Sequence, residues 1–321
     1  MIALPRSPGL IKKLAIGLAL VSMSLVIGLA VAVAGGRAGQ GAEAGAVREY
    51  DLDIVPADID YGTGVWHAWT YGGTVPGTTI RANAGDTLRI RVTNKHDKAH
   101  SFHAHLDGFT LENDGSQMNA VMNVGMGSLI APGNSYVYTF KPMRPGLYYY
   151  HSHFSDESVT PTQEVTQGMY GAILISDPKE PPMREEVLFM GEIGHLREGK
   201  TPPYIMNGLG FTGGEAGVGH LNHDQMAEQY DKTLPTFRLK VGETIKLHVI
   251  NIGSLEHSLY IHTADIVSLG VLNGRMWPGR VLPLVPGAAD TLQVTFNDPG
   301  PWLFHCHVDP HTDAGMLGVF E

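Results

Sequence analysis

The sequence has almost no cysteine: Cys306 is the only one in 321 residues. A single thiol cannot form an intramolecular disulfide, so it is free to bind a metal. Charged residues are also sparse, at 17% of the chain, whereas the sequence contains 40 glycines and 20 prolines. This composition is typical of a turn-rich β protein and disfavours a helical bundle.

Positive charge is scarce as well. The chain has 22 Lys and Arg residues against 32 Asp and Glu residues, which gives a formal net charge of -10 at pH 7. Proteins that bind nucleic acids present a basic face, so we expect no nucleic-acid partner.

Long apolar runs are absent except for one near the N-terminus, from Leu14 to Ala34, which follows Lys12 and Lys13. The run ends in Ala-Val-Ala, which matches the small-residue pattern of a signal cleavage site. Residues 1–34 are therefore predicted to be a signal peptide or an N-terminal membrane anchor, and residues 35–45 a flexible Gly/Ala linker. We expect the globular part outside the cytoplasm: secreted, periplasmic, or membrane-anchored and facing outward.

The rest of the chain repeats itself. The segments 85–94 and 242–251 both alternate apolar and polar residues, which predicts half-buried strands. Histidine segments follow at matching offsets: 100–105 corresponds to 257–262, and 151–153 corresponds to 305–307. We therefore predict an all-β protein of two Greek-key sandwich domains, residues 46–178 and 183–321, with a minor helix over 222–229.

The second repeat contains an ordered string of soft and nitrogen ligands. Cys306 lies between His305 and His307, and His311 and Met316 follow. Thiolate, imidazole and a weak axial thioether are the ligands of a blue copper electron-transfer site. A lone cysteine is more commonly a buried structural residue, but this string favours copper.

Strand geometry separates these residues into two groups. Alternate residues of a strand share a face, so His305 and His307 point away from Cys306. Cys306 can then bind one metal inside its own sandwich while its neighbours bind a second centre outside. His257 and His262 are an odd number of residues apart, so His257 can join Cys306 and His262 can join the other group.

The first repeat lacks the thiol. Ser152 stands where the second repeat has Cys306, so no blue site is expected there. His100, the counterpart of His257, is interpreted as a vestigial or structural histidine. Four other histidines remain free to build the second centre together with the second domain: His103, His105, His151 and His153.

These residues resemble the multicopper oxidases and, by size, the two-domain small laccases; the resemblance covers nearly everything after residue 46. It implies two cupredoxin domains and a type 1 copper. The ligands it implies for that copper are His257, Cys306, His311 and Met316. It also implies a trinuclear cluster. The ligands implied for its type 3 pair are His105, His151, His153, His262, His305 and His307, and its type 2 copper would use His103 and the residue at position 260.

The resemblance also implies an activity and an assembly. One-electron oxidation of a small reducing substrate, or of an electron-donor protein, would be coupled to four-electron reduction of dioxygen to water. In two-domain relatives the cluster lies between subunits, so a homotrimer is expected. Asp107 is a candidate proton donor, although a turn residue before Gly108 is an equal interpretation.

Position 260 departs from the family pattern, which has a third histidine there. Tyr260 lies two residues from His262 and so points to the same face. Three interpretations are open: Tyr260 ligates or hydrogen-bonds at a modified type 2 copper; His220 or His223 substitutes; or the type 2 copper is weak or absent.

Two rival functions fit parts of the pattern. Copper nitrite reductases are also exported trimers of two cupredoxin domains, but their blue site is in the first domain. A non-enzymatic electron carrier or copper buffer, with Met118, Met122 and Met126 as soft ligands, would not need the second domain.

Overall fold

The computed structural model describes residues 45–62, 64–108, 110–116, 129–156, 158–194, 203–210, 234–270, 274–276 and 281–321. Within these ranges, no helix is long and apolar enough to cross a membrane. Several predictions lie outside the described residues: the segment 1–44, the three methionines between 118 and 126, His220, His223, and the helix over 222–229.

The alternating segments are strands with a buried face. In Thr87–Asn94 the side chains of Leu88, Ile90 and Val92 are fully buried. In Thr244–Asn251 every second residue from Ile245 is likewise fully buried. The prediction of a half-buried strand is confirmed for Thr87–Asn94, whose polar residues face outward. Thr244–Asn251 has the predicted buried face, but its other face is largely buried as well, since His248 and Ile250 are also buried.

The first half of the chain forms two four-stranded sheets. One has the order β2-β1-β4-β6 and the other the order β3-β8-β7-β5. The strands are β1 (Val47–Asp60), β2 (Val65–Tyr71), β3 (Ile80–Asn83), β4 (Thr87–Asn94), β5 (His103–Ala104), β6 (Ser135–Phe140), β7 (Gly146–His151) and β8 (Tyr170–Ser176).

The second half forms a six-stranded and a five-stranded sheet. Their orders are β10-β9-β12-β17-β14-β15 and β11-β19-β18-β13-β16. The strands are β9 (Glu185–Glu192), β10 (Tyr204–Met206), β11 (Thr236–Phe237), β12 (Thr244–Asn251), β13 (His257–Ile261), β14 (Asp265–Ser268), β15 (Gly274–Met276), β16 (Leu282–Leu284), β17 (Ala289–Thr295), β18 (Trp302–Cys306) and β19 (Leu317–Phe320).

Each half has its own apolar core between its two sheets, so the fold is two β-sandwiches, as predicted. A third apolar cluster joins the halves and includes Trp66, Tyr149, Phe189 and Ile250. Strands up to β8 belong to the first sandwich and strands from β9 to the second. The domain boundaries at 46–178 and 183–321 stay a prediction.

Helices are short, and two of them occupy matching places in the halves. Helix α1 (Pro161–Thr166) precedes Met169, and helix α2 (Asp309–Asp313) precedes Met316. A 3-10 turn covers Leu111–Asn113. In both halves the methionine N–H donates to a carbonyl of the helix, that of Glu164 at 3.2 Å and that of His311 at 3.0 Å.

Candidate metal centres

Three ligand atoms converge in the interior of the second half. The Sγ of Cys306 lies 3.6 Å from His311 Nδ1 and 3.9 Å from His257 Nδ1, and the two nitrogens are 3.1 Å apart. All three side chains are buried. Met316 is fully buried in the same core cluster as Cys306.

Strand pairing puts these ligands together. Antiparallel β13 and β18 pair Leu259 with Cys306, so the thiol points into the sandwich beside His257 at the start of β13. The short helix α2 then returns His311 over the thiol, and the Cys306 N–H donates to the Met316 carbonyl at 3.0 Å. Cys306, His311 and Met316 are therefore brought together by strand β18, the short helix α2 and the start of the returning strand β19.

The thiol is prepared to ionise. Burial raises the pKa of Cys306, but hydrogen bonds with His257 and His311 more than offset it and lower the pKa to about 6. Burial lowers the pKa of His257, whereas Cys306 and the Glu192 carboxylate raise it above the usual value. A thiolate at neutral pH is the form of cysteine that binds metals.

A second group of rings lies at the opposite face of β13 and β18. Tyr260 is 4.7 Å from His262, 5.4 Å from His305 and 5.5 Å from His307, measured between ring centroids. His305 Nδ1 donates to the Cys306 carbonyl at 2.9 Å, which leaves its Nε2 available as a ligand. Cys306 and its two flanking histidines therefore point to opposite sides of one strand. We call Tyr260, His262, His305 and His307 the second-half ring set.

The first half carries the matching group. Ring centroids of His103 lie 4.9 Å from His105, 5.4 Å from His151 and 5.2 Å from His153. The Nε2 atoms of His105 and His151 are 3.1 Å apart, and His151 Nδ1 donates to the Ser152 carbonyl. We call these four residues the first-half ring set.

Three histidines of the first-half ring set favour the neutral form that binds metals. Burial lowers the pKa of His105 to about 4, with a further contribution from His103 and His153. Burial also lowers the pKa values of His103 and His151.

Tyr260 occupies the place of His103. In the first half β5 and β7 pair His103 with His151, and in the second half β13 and β18 pair Tyr260 with His305. The distances from each of these rings to its three neighbours agree closely between the halves. The tyrosine thus substitutes for a histidine without moving the strands.

The family of the chain follows from comparison with known proteins. Two family models described as multicopper oxidase match residues 55–180 and 201–321. The chain belongs to the multicopper oxidase family. The donor set of the second half fits copper, because a buried thiolate, two imidazoles and a thioether are soft and borderline ligands of that metal.

Curated relatives of this multicopper oxidase have different names. A probable nitrite reductase-hydroxylamine oxidoreductase fusion protein of Kuenenia stuttgartiensis is 26% identical over 84% of this chain and 31% of its own length. Laccase-2 of Botryotinia fuckeliana is 28% identical over 78% of this chain and 42% of its own length. The chain thus spans less than half the length of these relatives.

Solved structures agree on the fold. A crystal structure of a multicopper oxidase is 26% identical, with a TM-score of 0.67 over 86% of this chain and 88% of that one. A copper nitrite reductase from Nitrosomonas europaea is 22% identical, with a TM-score of 0.67 over 85% and 93% of the two chains. The cupredoxin fold of this multicopper oxidase is therefore shared by a multicopper oxidase and a copper nitrite reductase.

The first half of this multicopper oxidase also has a place that matches the thiol site, but with other residues. Ser152 and Glu164 stand at the positions of Cys306 and His311, and Met169 at that of Met316. His100 Nδ1 is 2.8 Å from the Glu164 carboxylate, and both side chains are fully buried. The nitrogen that would face a metal is thus occupied by a carboxylate.

Two aspartates follow the first-half histidines in the sequence, Asp107 two residues after His105 and Asp114 further on. Asp107 accepts from the Met143 N–H at 3.3 Å and is 3.5 Å from the Arg144 guanidinium, while its Oδ1 is buried without a hydrogen-bond partner. Asp114 is tied directly to a histidine, because His103 Nδ1 donates to its backbone carbonyl at 2.6 Å and lies 3.6 Å from its carboxylate.

Sequence reasoning missed Asp114, as well as Tyr204 and Glu192. Tyr204 stacks on His311 with centroids 4.2 Å apart, and Glu192 approaches His257. Asp114 is close enough to His103 in the sequence that spacing could have indicated it. The other two depend on contacts across β9 and β10, for which the sequence carries no local signal.

Proposed function

We propose that this multicopper oxidase couples one-electron oxidation of a small reducing substrate, or of an electron-donor protein, to four-electron reduction of dioxygen to water. The observation that carries the proposal is the pair of matching ring sets, one in each half, beside a single thiol site. Bound copper would supply one-electron uptake at the thiol site and oxygen reduction at the ring sets.

The proposed type 1 site is formed by four buried residues. Three of them hold their ligand atoms within 4.8 Å of one another, which supports a preformed site. They are His257, Cys306 and His311, with Met316 as the weak axial ligand.

The proposed trinuclear site combines both ring sets. Among the described residues, ring contacts join members within each set and none links one set to the other. A second copy of the chain could therefore bring its second-half ring set to the first-half ring set of the first copy. In a closed ring of three copies, every first-half set would face a second-half set. The proposed type 3 ligands are His105, His151, His153, His262, His305 and His307; His103 would hold the type 2 copper, with Tyr260 opposite.

Cys306 would connect the two sites. Its side chain faces the sandwich interior, and the next residues on either side, His305 and His307, face the second-half ring set. An electron accepted at the thiol would reach the ring set through two residues of one strand. The short covalent route is what supports electron transfer in place of simple metal storage.

Protons for water formation need a donor near the ring sets. Asp107 stays a proposal for this role, but its contacts with Met143 and Arg144 also suit a turn. Asp114 is better supported, because its carboxylate lies 3.6 Å from His103 Nδ1 and is about one-seventh exposed, at 14%. Replacing either carboxylate by the amide and measuring oxygen uptake against pH separates the two.

Tyr260 makes the proposed type 2 site atypical. A phenol can approach a bound cation as phenolate, but it offers oxygen where the first half offers nitrogen. We expect purified protein to show a weak or unusual type 2 signal in electron paramagnetic resonance, together with copper bound at the other sites. A normal type 2 signal at full copper occupancy would contradict this.

The experiment that tests the whole proposal is Tyr260→His in the copper-loaded protein. An ordinary type 2 signal should appear and oxygen consumption with a one-electron donor should rise. Tyr50→His is the matched control, since Tyr50 is also a half-buried strand tyrosine but bonds the Arg81 carbonyl. Unchanged copper content and oxygen uptake in Tyr260→His would remove position 260 from the site.

A nitrite reductase is the second candidate function. Replacement of a type 2 histidine by Tyr260 favours it, as does the similarity to two proteins named as nitrite reductases. The thiol in the second half and two complete ring sets weigh against a mononuclear catalytic copper. Turnover that depends on nitrite without oxygen would establish this alternative, and absence of turnover with either acceptor would leave an electron-transfer protein.

We also propose an extracytoplasmic location, from the N-terminal apolar run alone. Cell fractionation with mass spectrometry of the mature N-terminus tests whether residues 1–34 are removed or retained as an anchor.

A further inference from the structure

A buried carboxylate lies behind the proposed type 1 site. Glu192, at the end of β9, is 3% exposed, and its Oε2 lies 3.6 Å from His257 Nε2. His257 turns its other nitrogen, Nδ1, toward Cys306 and His311. The imidazole therefore stands between the carboxylate and the ligand atoms.

The two facing atoms have no other partner. Glu192 Oε2 and His257 Nε2 are both buried and lack a hydrogen bond in the described part of the chain. The other oxygen of Glu192 is fixed, since it accepts from the Ser254 N–H at 2.6 Å and from the Ser254 hydroxyl. Buried polar atoms without a partner are costly in free energy. A proton on His257 Nε2, shared with Glu192 Oε2, would give both atoms a partner.

Local backbone leaves room for this carboxylate. A Cβ added to Gly253 would lie 2.1 Å from Glu192 Oε2, so no larger residue fits there while the carboxylate keeps its place. Gly253 and Ser254 are consecutive, and together they make space for one oxygen and bond the other.

The first half contains the same elements in the opposite arrangement. There the carboxylate of Glu164 meets His100 at Nδ1, at 2.8 Å, and His100 Nε2 is 2.7 Å from His96 Nδ1. In the second half the carboxylate is on the Nε2 side and Nδ1 is free of it. The two halves thus differ in which imidazole nitrogen faces the carboxylate. It is Nε2 in the half that has the proposed type 1 ligands and Nδ1 in the half that lacks them.

We propose that Glu192 is a positioning residue that holds the proton of His257 on Nε2, keeps Nδ1 available as a copper ligand, and lowers the reduction potential of the type 1 copper. The proposal rests on the proposed type 1 site. An acceptor on one imidazole nitrogen fixes the tautomer and increases the basicity of the other. A nearby negative charge also stabilises the cupric more than the cuprous state, because the cupric ion has the larger charge.

The test is Glu192→Gln in the copper-loaded full chain, measured by spectroelectrochemical titration of the blue absorption band at neutral pH. Glutamine keeps the shape and an acceptor oxygen but removes the charge. We expect a retained blue band, a higher midpoint potential, and a cupric affinity weaker by about 10- to 100-fold in competition with a chelator.

Glu164→Gln is the matched control. It removes a buried carboxylate that also faces a histidine, but one outside the proposed type 1 site, and we expect its midpoint potential to equal that of the wild type. Should Glu192→Gln fail to fold, Glu192→Asp is the second variant. It keeps the negative charge but moves it farther from His257, because its side chain is one methylene shorter, so the midpoint potential should rise by less than expected for Glu192→Gln.

The outcomes are distinct. A wild-type protein without a blue band overturns the proposed type 1 site itself. A blue wild type whose potential and cupric affinity are unchanged in Glu192→Gln, or in the folded Glu192→Asp variant, overturns only the role of Glu192.

Discussion

Cys306 and Ser152 occupy one position in two copies of a sandwich, and the exchange of sulfur for oxygen removes the thiol ligand from the first half. Both N–H groups donate to the carbonyl of the following methionine, at 3.0 and 3.1 Å. The backbone is therefore the same with sulfur or oxygen. Only the thiol, whose pKa is lowered to about 6 by hydrogen bonds that offset its burial, offers a thiolate at neutral pH.

Cys306→Ser tests this at the residue scale. The variant should lose the blue absorption band and bind one copper fewer per chain, while the ring sets keep theirs. Its fold should survive, because the first half accommodates serine at the same place. Absorption spectroscopy with copper counting measures the first effect, and circular dichroism the second. A persistent blue band would exclude Cys306 as the ligand.

At the scale of strands, the period-two pattern was enough to predict β4 and β12 and the faces they bury. The same alternation correctly separated Cys306 from its flanking histidines, since it depends only on strand geometry. Glu192 could not be found this way. It reaches His257 because β9 lies parallel to β12, with Met190 paired to Asn251, and a pairing between distant segments leaves no local pattern. Tyr204 on β10 was missed for the same reason.

Leu247→Ala measures how much one buried strand position contributes. Leu247 is fully buried in β12, so the free energy of unfolding should fall by about 2–5 kcal/mol from lost burial and the cavity left behind. Val241→Ala, at a side chain that is 58% exposed, should change it by less than about 0.5 kcal/mol. Urea unfolding followed by tryptophan fluorescence gives both values; equal effects would mean that Leu247 is not part of the core.

At the scale of the whole molecule, a charged contact joins the two sandwiches. Glu185 on β9 is 2.6 Å from Arg81 on β3 and 3.6 Å from His248 on β12. The bond with His248, and then that with Arg81, outweigh burial and lower the pKa of Glu185 from 4.5 to about 2. The carboxylate is therefore ionised across the physiological range.

Glu185→Gln should alter stability in a pH-dependent way. In the folded protein the pKa of Glu185 is about 2, which is lower than its ordinary value of 4.5. The ionised carboxylate therefore stabilises the fold fully above pH 4.5, and this contribution is lost as the pH falls toward 2. The variant should therefore be less stable than the wild type at pH 7 and approach it near pH 2. Thermal unfolding at a series of pH values measures the difference; a gap independent of pH would rule out this linkage.

Sharing of ring sets between copies can be tested by mixing. His103→Ala impairs only the first-half set and His305→Ala only the second-half set, so each variant alone should lose oxygen reduction. If trimers assemble at random from an equimolar mixture, roughly a quarter of all junctions would combine two intact sets, and a matching fraction of activity should return. Mixtures that stay inactive, although native mass spectrometry with one variant isotopically labelled shows mixed trimers, would place both sets of a working site in one chain.

The carboxylate of Glu164 beside His100 has a consequence for redesign. The first sandwich already holds a histidine and a methionine at the places where the second holds copper ligands, and its backbone there follows the same path. Ser152→Cys together with Glu164→His would complete the same four donors in a host that needs no new loop. Such a chain would carry two points of electron entry, one on each sandwich.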